Sequence, residues 1–523
     1  MERHLLTTLI VTMFAASGAF AAGERGASLY VDSAKGSDEA DGSQAKPLKT
    51  LAKALSLAKG GETIWLADGQ YPAVAIGKKY AREVVVRAVN KLGAMMVGGV
   101  VIAQAENVRL QDLRFAWTPA TRPKQDKDPF IGITNSKHVE VVGCEIADDP
   151  KRDVYAGFSI PVSNSDHVTI RDCRIHHVYM GPTFSRSTNC TASGLTIGPW
   201  SHEDGIRVME CEGPTLIENC HISNEGNQGR RTGHVDALQV VYWSDNLTIR
   251  NCVIHNASQA IGAFRCKDRR RKNWRIEGNL IYDVYTPHYC TVVETDGIIV
   301  VNNTFPQGPV NLSNCTGGVV KNNIFGDGTL RSECIKEADH NLWIQASGGS
   351  GSRKQKFGPH DLAGVEAKFV NAPKFFGKCD YWGKGAKESF TDRKVVVGGS
   401  IDGKIAVGDQ VELLIADGRP RDGVLRKVVK VEGRMIEVDK PTDVTMKGKM
   451  VLIYNWGREA TSAKLDYHLR PGSPAIDSAD GGVDRVKDMD GHAAFDHADT
   501  ANTGTGKIKH LDRGAFEYVP PRE

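Results

Sequence analysis

The sequence has little net charge and no long apolar stretch beyond its first residues. Lysine and arginine number 66 against 63 aspartate and glutamate, a net charge of +3, which is too small to favour nucleic acid as a partner by bulk charge. After residue 21 no stretch approaches the roughly 18 apolar residues that a transmembrane helix needs. A P-loop, a dinucleotide-binding fingerprint, an HExxH motif and a Cys-x-x-Cys zinc arrangement are also missing. We therefore expect neither a nucleic-acid partner nor a membrane span.

The first residues have the pattern of a secretion signal. Arg3 and His4 precede the apolar run Leu5 to Ala16, and the small residues Ala19-Phe20-Ala21 follow. The run is too short to span a bilayer. We expect cleavage after Ala21 and a mature protein that is secreted or periplasmic.

The chain is too long for one ordinary core, and it contains an internal repeat. Its 523 residues, 40% hydrophobic and 25% charged, have the composition of a soluble globular protein and the length of several domains or of a repeat architecture. Two alternating apolar positions, two further residues, then Cys, Asn or Leu and another apolar residue recur along the sequence. The Cys, Asn or Leu positions are Leu113, Cys144, Cys173, Cys220, Cys252, Asn279, Asn303 and Asn323, with a degraded copy around Leu195 to Ile197.

This repeat predicts a parallel β-helix. Its spacing averages about 26 residues a turn and has no helical periodicity, which excludes leucine-rich and helical repeats. Stacked turns lie about 4.8 Å apart, so equivalent residues form columns. We expect the Cys and Asn positions to form an internal column that is structural, made of small buried side chains and hydrogen bonds between amides.

Two copies of the motif His-x-Asp-Gly/Ala-Ile/Leu-x-Val carry the strongest functional signal. The copies are His202-Glu-Asp-Gly-Ile-Arg-Val208 and His234-Val-Asp-Ala-Leu-Gln-Val240, and the Asp of each lies 16 residues before a column cysteine. This shared register predicts three stacked pairs on consecutive turns, which are His202 with His234, Asp204 with Asp236, and Arg207 with Gln239.

The motif also predicts which side chains face outward. Its Ile, Leu and Val residues alternate inward, so Arg207 and Gln239 point outward, and Thr291 and Asn311 continue that face. The result is a shallow polar groove that suits an extended chain. Two carboxylates one turn apart, about 5 Å, suit a retaining hydrolase, a pair that shares one proton, or a Ca²⁺ site. Alternatively, Asp204 and Asp236 only cap the turns before their strands.

Basic and aromatic residues near the motif are candidate contacts for an acidic sugar. Arginine presents a bidentate fork to carboxylate or sulfate, and aromatic rings offer faces for sugar rings, although charged runs are often solvated loops and aromatic residues often pack. The candidate substrate-binding residues are Arg230, Arg231, Gln239, Tyr242, Arg265, Lys267, His288 and Tyr289.

Both ends of the chain resemble those of a known group of proteins. Residues Leu29 to Tyr71 combine a strand, a turn, a helix near Pro47 to Ala58 and another strand, and the tail contains Arg470-PGSPAIDSAD and Asp512-RGAFEY. These segments resemble the N-terminal cap and the closing segment of secreted right-handed parallel β-helix proteins of the pectate-lyase-like superfamily. The resemblance implies an all-β, right-handed parallel β-helix with an N-terminal cap. It does not fix the reaction, because this fold carries lyases, glycoside hydrolases, epimerases and non-catalytic adhesins.

Short alternating strands near residues 395–454 further predict a small β module inserted before the closing segment. The expected division is a signal peptide at 1–21, a cap and first turns at 22–105, a β-helix core at 106–345, a loop excursion at 346–390, the inserted β module at 391–457, and the closing segment at 458–523.

These observations lead us to expect a monomeric, carbohydrate-active enzyme that cleaves an acidic polysaccharide by β-elimination. In such a lyase Arg207 or Arg265 neutralises the uronate carboxylate, His234 is the base, and Asp236 orients it or helps to hold Ca²⁺, with Asp204 as the second possible metal ligand. The alternatives are a glycosidase that uses the two aspartates and a non-catalytic glycan-binding protein. The catalytic patterns of alginate lyases, polygalacturonases and mannuronan epimerases are not found, so no subfamily's residues are carried over.

Overall fold

The computed structural model of the protein describes most of the chain beyond the expected signal peptide, residues 1–21, which lies outside the described residues. The described ranges are 28–122, 127–152, 154–226, 235–284, 289–308, 310–327, 335–345, 357–379, 391–415, 421–442, 451–485 and 487–520. Within these ranges no helix is long and apolar enough to cross a membrane.

The chain winds through parallel sheets that run the length of the molecule. The first sheet has 13 strands. They are Ser28–Val31, Thr63–Leu66, Lys79–Ala88, Glu106–Gln111, Lys137–Val142, Asp166–Arg171, Thr188–Ser193, Thr215–Glu218, Leu247–Arg250, Arg275–Glu277, Ile299–Val301, Gly318–Lys321 and Ile335–Asp339.

A single 21-stranded sheet forms the other two faces of the β-helix, and each of these faces is called an arm of that sheet. The two arms belong to one sheet because the strand Ala94–Ala103 pairs with strands of both. The arm that follows the first sheet in each turn is called the second sheet. Its strands are Arg114–Ala116, Glu145–Ala147, Arg174–His176, Thr196–Ile197, His221–Ser223, Val253–His255, Leu280–Ile281, Thr304–Phe305, Ile324–Asp327, Leu342–Gln345 and Leu362–Ala363.

The arm that completes each turn is called the third sheet. Its strands, with the shared one, are Gly69–Ile76, Ala94–Ala103, Ile131–Thr134, Pro161–Ser163, Thr183–Ser185, Ile206–Met209, Leu238–Val241, Ile261–Ala263, Cys290–Val293 and Val310–Ser313. All pairings within these three faces are parallel, and apolar residues from all three fill one continuous core. The prediction of an all-β, right-handed parallel β-helix is confirmed.

The predicted internal column is also confirmed. The strand that follows each column residue pairs in register with its neighbours, as in Glu145 opposite Arg114 and Arg174, and the degraded copy at Leu195 occupies one full turn. The column side chains from Leu113 to Asn323 are all buried. The ten cysteines in the described part of the chain form no disulfide, consistent with a packing role.

The asparagines continue the column as a ladder of side-chain hydrogen bonds. The Asn303 Oδ1 atom accepts from the backbone N–H and the Nδ2 of Asn279, each at 2.9 Å. The Asn303 Nδ2 atom donates to the Ile276 and Val301 carbonyls and to Asn323 Oδ1, all at 2.9 Å. Each amide thus satisfies the backbone of the turns on both sides, which water cannot reach.

Substitution of Asn303 by Ala is expected to destabilise the protein by about 3 kcal/mol, because it leaves the buried N–H of Asn279 without its acceptor. Chemical denaturation of the two proteins measures this difference. Asn311→Ala, on the outward face, is the control and should stay within about 0.5 kcal/mol of the wild type. Equal effects of the two substitutions would contradict the ladder's role.

The N-terminal cap contains a helix, Leu51–Leu57, within the predicted range. It begins after Thr50, whose side chain accepts a hydrogen bond from the Lys53 N–H. Near the other end, six antiparallel strands form a separate small sheet. They are Phe375–Lys378, Lys394–Val396, Gln410–Ile415, Arg426–Glu432, Met435–Val438 and Val451–Gly457. The remaining pairs are Arg271–Lys272 with Thr295–Asp296, and Phe369–Asn371 with Asp466–Leu469.

Candidate functional site

The two copies of the motif lead into neighbouring strands of the third sheet, as predicted. Arg207 lies opposite Gln239, and the same column continues through Gly262 to Thr291 and Asn311. The flanking residues of the motif strands are buried: Ile206, Val208, Leu238 and Val240 are at most 2% exposed. Alternation along the two motif strands therefore turns Arg207 and Gln239 outward, as the sequence predicts. Thr291 in the same column is only 2% exposed, so the prediction that it continues the outward face is wrong.

The two aspartates stand just before these strands, in the same register. The Gly205 N–H donates to the Asp236 carbonyl at 2.9 Å, and the Ala237 N–H donates to the Gln259 carbonyl at 2.8 Å. Asp204, Asp236 and Gln259 thus occupy equivalent positions on three consecutive turns. The side chains of both aspartates are fully buried, and Gln259 is 6% exposed. The stacking of the aspartates is confirmed, but their carboxylates lie beneath the surface.

Arg207 is held by two carboxylates from its own loop. Its Nε donates to Asp204 Oδ2 at 2.7 Å, and its Nη2 pairs with Glu203 Oε2. Burial lowers the pKa of Arg207, but these two ion pairs outweigh that effect and raise it above its ordinary value. The guanidinium therefore stays charged, in a fixed orientation, with 22% of its side chain exposed.

Asp204 has a strongly perturbed acidity. Burial raises the pKa of Asp204 to about 7, with a further contribution from the charge of Asp236, and Arg207 opposes the rise. Its side chain bonds to Arg207 instead of to a backbone N–H, which disfavours the view that it merely caps a turn. Asp204 is thus a proton-binding group near neutral pH, placed directly under the exposed arginine.

This acidity makes the stability of the protein dependent on pH. A buried carboxyl group whose pKa rises from 3.8 to about 7 on folding binds its proton more tightly in the folded state. It contributes full stability below pH 3.8, and that contribution is lost as pH rises towards 7, at up to about 1.4 kcal/mol per pH unit.

We expect Asp204→Asn to remove this titration. Thermal melts between pH 4 and 7 should therefore show the wild type losing stability relative to the variant as pH rises. A stability difference that stays constant across this range would contradict the raised pKa.

The carboxylate of Asp236 lies over the next turn, where the outward column has a glycine. A Cβ atom built on Gly262 would lie 2.8 Å from Asp236 Oδ2 and 3.0 Å from Gln259 Oε1, so any side chain there would displace the carboxylate. Gln239 Nε2 lies 3.4 Å from the same Asp236 oxygen. Because Gly262 has no side chain, the Asp236 carboxylate keeps this position, where it can accept a hydrogen bond from the outward-facing Gln239.

His202 lies beside Glu203, at the edge of the group formed by Glu203, Asp204 and Arg207. Its ring stacks on Tyr179 with centroids 4.7 Å apart and planes 10° from parallel. Its Nδ1 is 3.8 Å from Glu203 Oε1, and about a quarter of the side chain is exposed. Its predicted stacking partner, His234, lies outside the described residues, so that pairing stays a prediction.

The predicted substrate contacts other than Gln239 divide into three groups. Tyr242, Arg265 and Lys267 are exposed, and the Lys267 ammonium lies 5.4 Å from the centre of the Tyr242 ring. Tyr289 is only 2% exposed and its hydroxyl donates to the Ile281 carbonyl, so its ring packs inside a turn and offers no face to a sugar. Arg230, Arg231 and His288 lie outside the described residues.

Most of the other arginines in the basic segment from Arg265 to Lys272 have partners inside the protein. Arg269 lies over the Trp243 ring and pairs with Asp245, and Arg270 pairs with Asp296. Arg271 is fully buried and donates to the Val293 carbonyl at 2.6 Å. Within the described part of this segment the exposed cations are Arg265, Lys267 and Lys272, and Arg207 is partly exposed.

Three residues of the site were missed by sequence reasoning. Glu203 was treated as a variable position of the motif because the second copy has Val235 there, and Gln259 and Gly262 lie on a turn without the motif. The places of Gln259 and Gly262 follow only from the register of the strands, which continues the columns of Asp236 and Gln239 by one further turn.

Comparison with known proteins agrees with the fold. Residues 90–341 match the family described as the right handed beta helix region. No curated protein sequence matches the chain.

Among solved structures, the chain is similar to three carbohydrate-active proteins. The GH136 lacto-N-biosidase from Eubacterium ramulus is 12% identical with a TM-score of 0.42, over 60% of this chain and 67% of that one. A rhamnogalacturonan lyase is 14% identical with a TM-score of 0.43, over 66% and 91%. Pectate lyase Pel9A is 13% identical with a TM-score of 0.40, over 94% and 96%.

Similarities of this size are too low to transfer an activity. The continuous parallel sheets show the right-handed parallel β-helix fold, and the match over residues 90–341 agrees with that fold.

Proposed function

We propose that this protein is an enzyme that cleaves an acidic polysaccharide by β-elimination at the Arg207 site. The observation that carries the proposal is the outward guanidinium of Arg207, charged and fixed by Glu203 and Asp204. Elimination from a uronic acid requires a fixed positive group at the carboxylate, because neutralising that carboxylate acidifies the proton on C5. Arg207 is suited to this role since guanidinium matches carboxylate geometry.

The proposed base is His202. Its Nδ1 is buried on the side of Glu203, with Oε1 3.8 Å away, so substrate cannot reach it and Nε2 is the nitrogen proposed to take a proton from substrate. In the proposed step Nε2 removes the C5 proton, the C4–O glycosidic bond breaks, a C4–C5 double bond forms, and the leaving oxygen takes a proton from solvent. Tyr179 holds the ring in place from one side.

The surface around Arg207 supports binding of an extended chain. Gln239, on the turn after Arg207, and Asn311, three turns beyond Gln239, are partly exposed in the same column, so an extended polymer can meet polar side chains on more than one turn. Arg265 and Lys267 add exposed positive charge in the basic segment, and Lys267 lies beside the exposed Tyr242. These features favour a polymer with several carboxylate or sulfate groups.

A hydrolase that uses Asp204 and Asp236 receives less support. Such an enzyme needs both carboxylates at the scissile bond, and both are fully buried. The proposed role of Asp204 is to position Arg207, and that of Asp236 is to position Gln239. Both aspartates are therefore positioning residues in the proposed mechanism.

Calcium does not fit between Asp204 and Asp236 as these residues are arranged. The Arg207 Nε lies 2.7 Å from Asp204 Oδ2, and the Gln239 amide nitrogen lies 3.4 Å from Asp236 Oδ2, so donors already face both carboxylates. We propose that the guanidinium replaces a metal as the neutralising group. Chelator is then expected to leave the reaction rate unchanged.

The test is to incubate the purified protein with a panel of acidic polysaccharides and to follow the ultraviolet absorbance of unsaturated uronate together with new reducing ends. A rise in both on at least one substrate supports the proposal. New reducing ends without the absorbance would replace it with hydrolysis. Binding to a polysaccharide without either signal would identify a glycan-binding protein.

A further inference from the structure

A second group of chemistry-bearing side chains lies on one of the last turns, away from the Arg207 site. Asp339 ends the first-sheet strand Ile335–Asp339, His340 follows it, and His360 lies on the segment that leads into the strand Leu362–Ala363. One ligand atom from each of the three residues lies within 4.8 Å of the others. Two imidazoles and a carboxylate form a typical binding set for a divalent transition metal.

The Asp339 carboxylate is oriented by the backbone. Its Oδ1 accepts the N–H groups of His340 at 2.9 Å and of His360 at 2.8 Å. The other oxygen, Oδ2, lies 2.7 Å from His360 Nδ1 and 3.3 Å from His340 Nδ1. One oxygen is therefore fixed by the chain, and the other faces both rings.

The protonation of His340 follows from its neighbours. Lys321 lies 2.9 Å from Asp480 Oδ2, so Asp480 is a carboxylate, and it accepts the Thr505 hydroxyl proton at 3.1 Å. The Thr505 oxygen must then accept from His340 Nε2, which is 3.2 Å away. With its proton on Nε2, the neutral ring has a lone pair on Nδ1.

This lone pair needs a positively charged partner. His340 is 3% exposed, and its Nδ1 has no hydrogen-bond partner within the described structure. It faces Asp339 Oδ2, which is also an acceptor. Two acceptors facing each other in a buried place are unfavourable unless a cation lies between them.

The group is open to water on the side of His360. The His360 ring stacks on His340 with centroids 4.4 Å apart, and half of its side chain is exposed. Arg513, a neighbouring positive charge, donates to the carbonyls of Asn341 and His360. Its hydrogen bonds are therefore directed away from Asp339.

We propose that Asp339, His340 and His360 bind a divalent transition-metal ion such as Zn²⁺, through Asp339 Oδ2 and the two Nδ1 atoms, with water completing the coordination. Zinc binds this combination of nitrogen and oxygen ligands in tetrahedral geometry. His360 Nδ1 then binds the metal in place of its present contact with Asp339 Oδ2. The metal would join this turn to the segment at His360 and, through Thr505, to the C-terminal tail. This inference does not depend on the proposed catalytic function.

A second group, Asp488, Asp490 and His492, provides a matched comparison. Both oxygens of Asp488 accept backbone N–H groups, from His492 at 2.6 Å and from Glu517 at 2.8 Å. Asp490 Oδ2 is bound to His468 Nε2 at 2.7 Å. The nitrogen ligand of this second group belongs to His492, whose side chain is half exposed and whose Nδ1 lies 3.4 Å from Asp488 Oδ2, so the group lacks a buried nitrogen without a partner such as His340 Nδ1.

The test is a calorimetric titration of chelator-treated, dialysed full-length protein with zinc chloride. We expect one high-affinity Zn²⁺ per chain. Loss of an outer-shell partner of a metal ligand costs about 10- to 100-fold in affinity, so His360→Ala, which removes a ligand itself, should weaken binding by at least about 100-fold. Because His360 is half exposed, this variant should melt as the wild type does in chelator.

His492→Ala is the matched control and should bind Zn²⁺ as the wild type does. A rise in melting temperature with Zn²⁺, absent in His360→Ala, would further support the site. The proposal is overturned by the absence of zinc binding to the wild type, by unchanged affinity in His360→Ala, or by loss of binding in His492→Ala alone.

Discussion

Substitution of Arg207 by Ala is expected to lower kcat/KM on the acidic polysaccharide by about 10²–10³, as for the loss of a fixed group that stabilises developing charge. The physical reason is the position of Arg207, which turns outward from the third sheet and is held by Asp204 and Glu203. Without it, no fixed charge neutralises the substrate carboxylate. Most of the loss should be in kcat, because this interaction strengthens as negative charge develops on the carboxylate.

Two further variants make this result specific. Arg207→Lys keeps the positive charge but loses the fork that binds two carboxylates at once, so its activity should lie between those of the wild type and the Ala variant. Arg174→Ala removes an exposed arginine on the second sheet and should leave activity unchanged. If Arg207→Ala keeps more than a third of the wild-type rate, Arg207 is not the neutralising group.

Substitution of His202 by Ala is expected to lower kcat by about 10²–10⁴, which is the usual contribution of a general base. His202 is the described histidine beside Arg207, and its ring is fixed by stacking on Tyr179. Substrate binding should change little, since the ring accepts a proton in the reaction and need not bind the chain tightly. Imidazole added to the solution should restore part of the lost rate.

From the sequence the expected base is His234, so His202 and His234 should be compared directly. His167→Ala, an exposed histidine paired with Asp166 on the first sheet, serves as the control and should be fully active. An inactive His234→Ala variant together with an active His202→Ala variant would contradict the role of His202. It would move the base to the next turn of the helix.

The repeat made the architecture and the register of the site predictable. Small column residues such as Cys220 and Cys252 recur because each turn must pack on the next, and a fixed distance of 16 residues from each Asp to its column cysteine leaves one possible alignment. That alignment correctly stacked Arg207 on Gln239 and turned both outward. The spacing could be transferred to the structure because a parallel sheet with buried residues tolerates no slip of one residue.

Contacts between loops were not predictable in the same way. The capture of Arg207 by Glu203 and the burial of Asp204 depend on the path of the chain between the second and third sheets, which varies in length from turn to turn. Arg271 likewise belongs to a basic segment of the kind that usually forms a solvated loop. Its side chain is nevertheless fully buried and donates to a backbone carbonyl. Such contacts depend on chain geometry that has no repeat, so periodicity carries no information about them.

The central claim, elimination at the Arg207 site, is tested most directly by cleaving the active polysaccharide in water enriched in heavy oxygen and weighing the products by mass spectrometry. Elimination breaks the chain without adding water, so the account predicts unsaturated products that carry no heavy oxygen. Incorporation of one heavy oxygen atom per broken bond would show hydrolysis and would contradict the account.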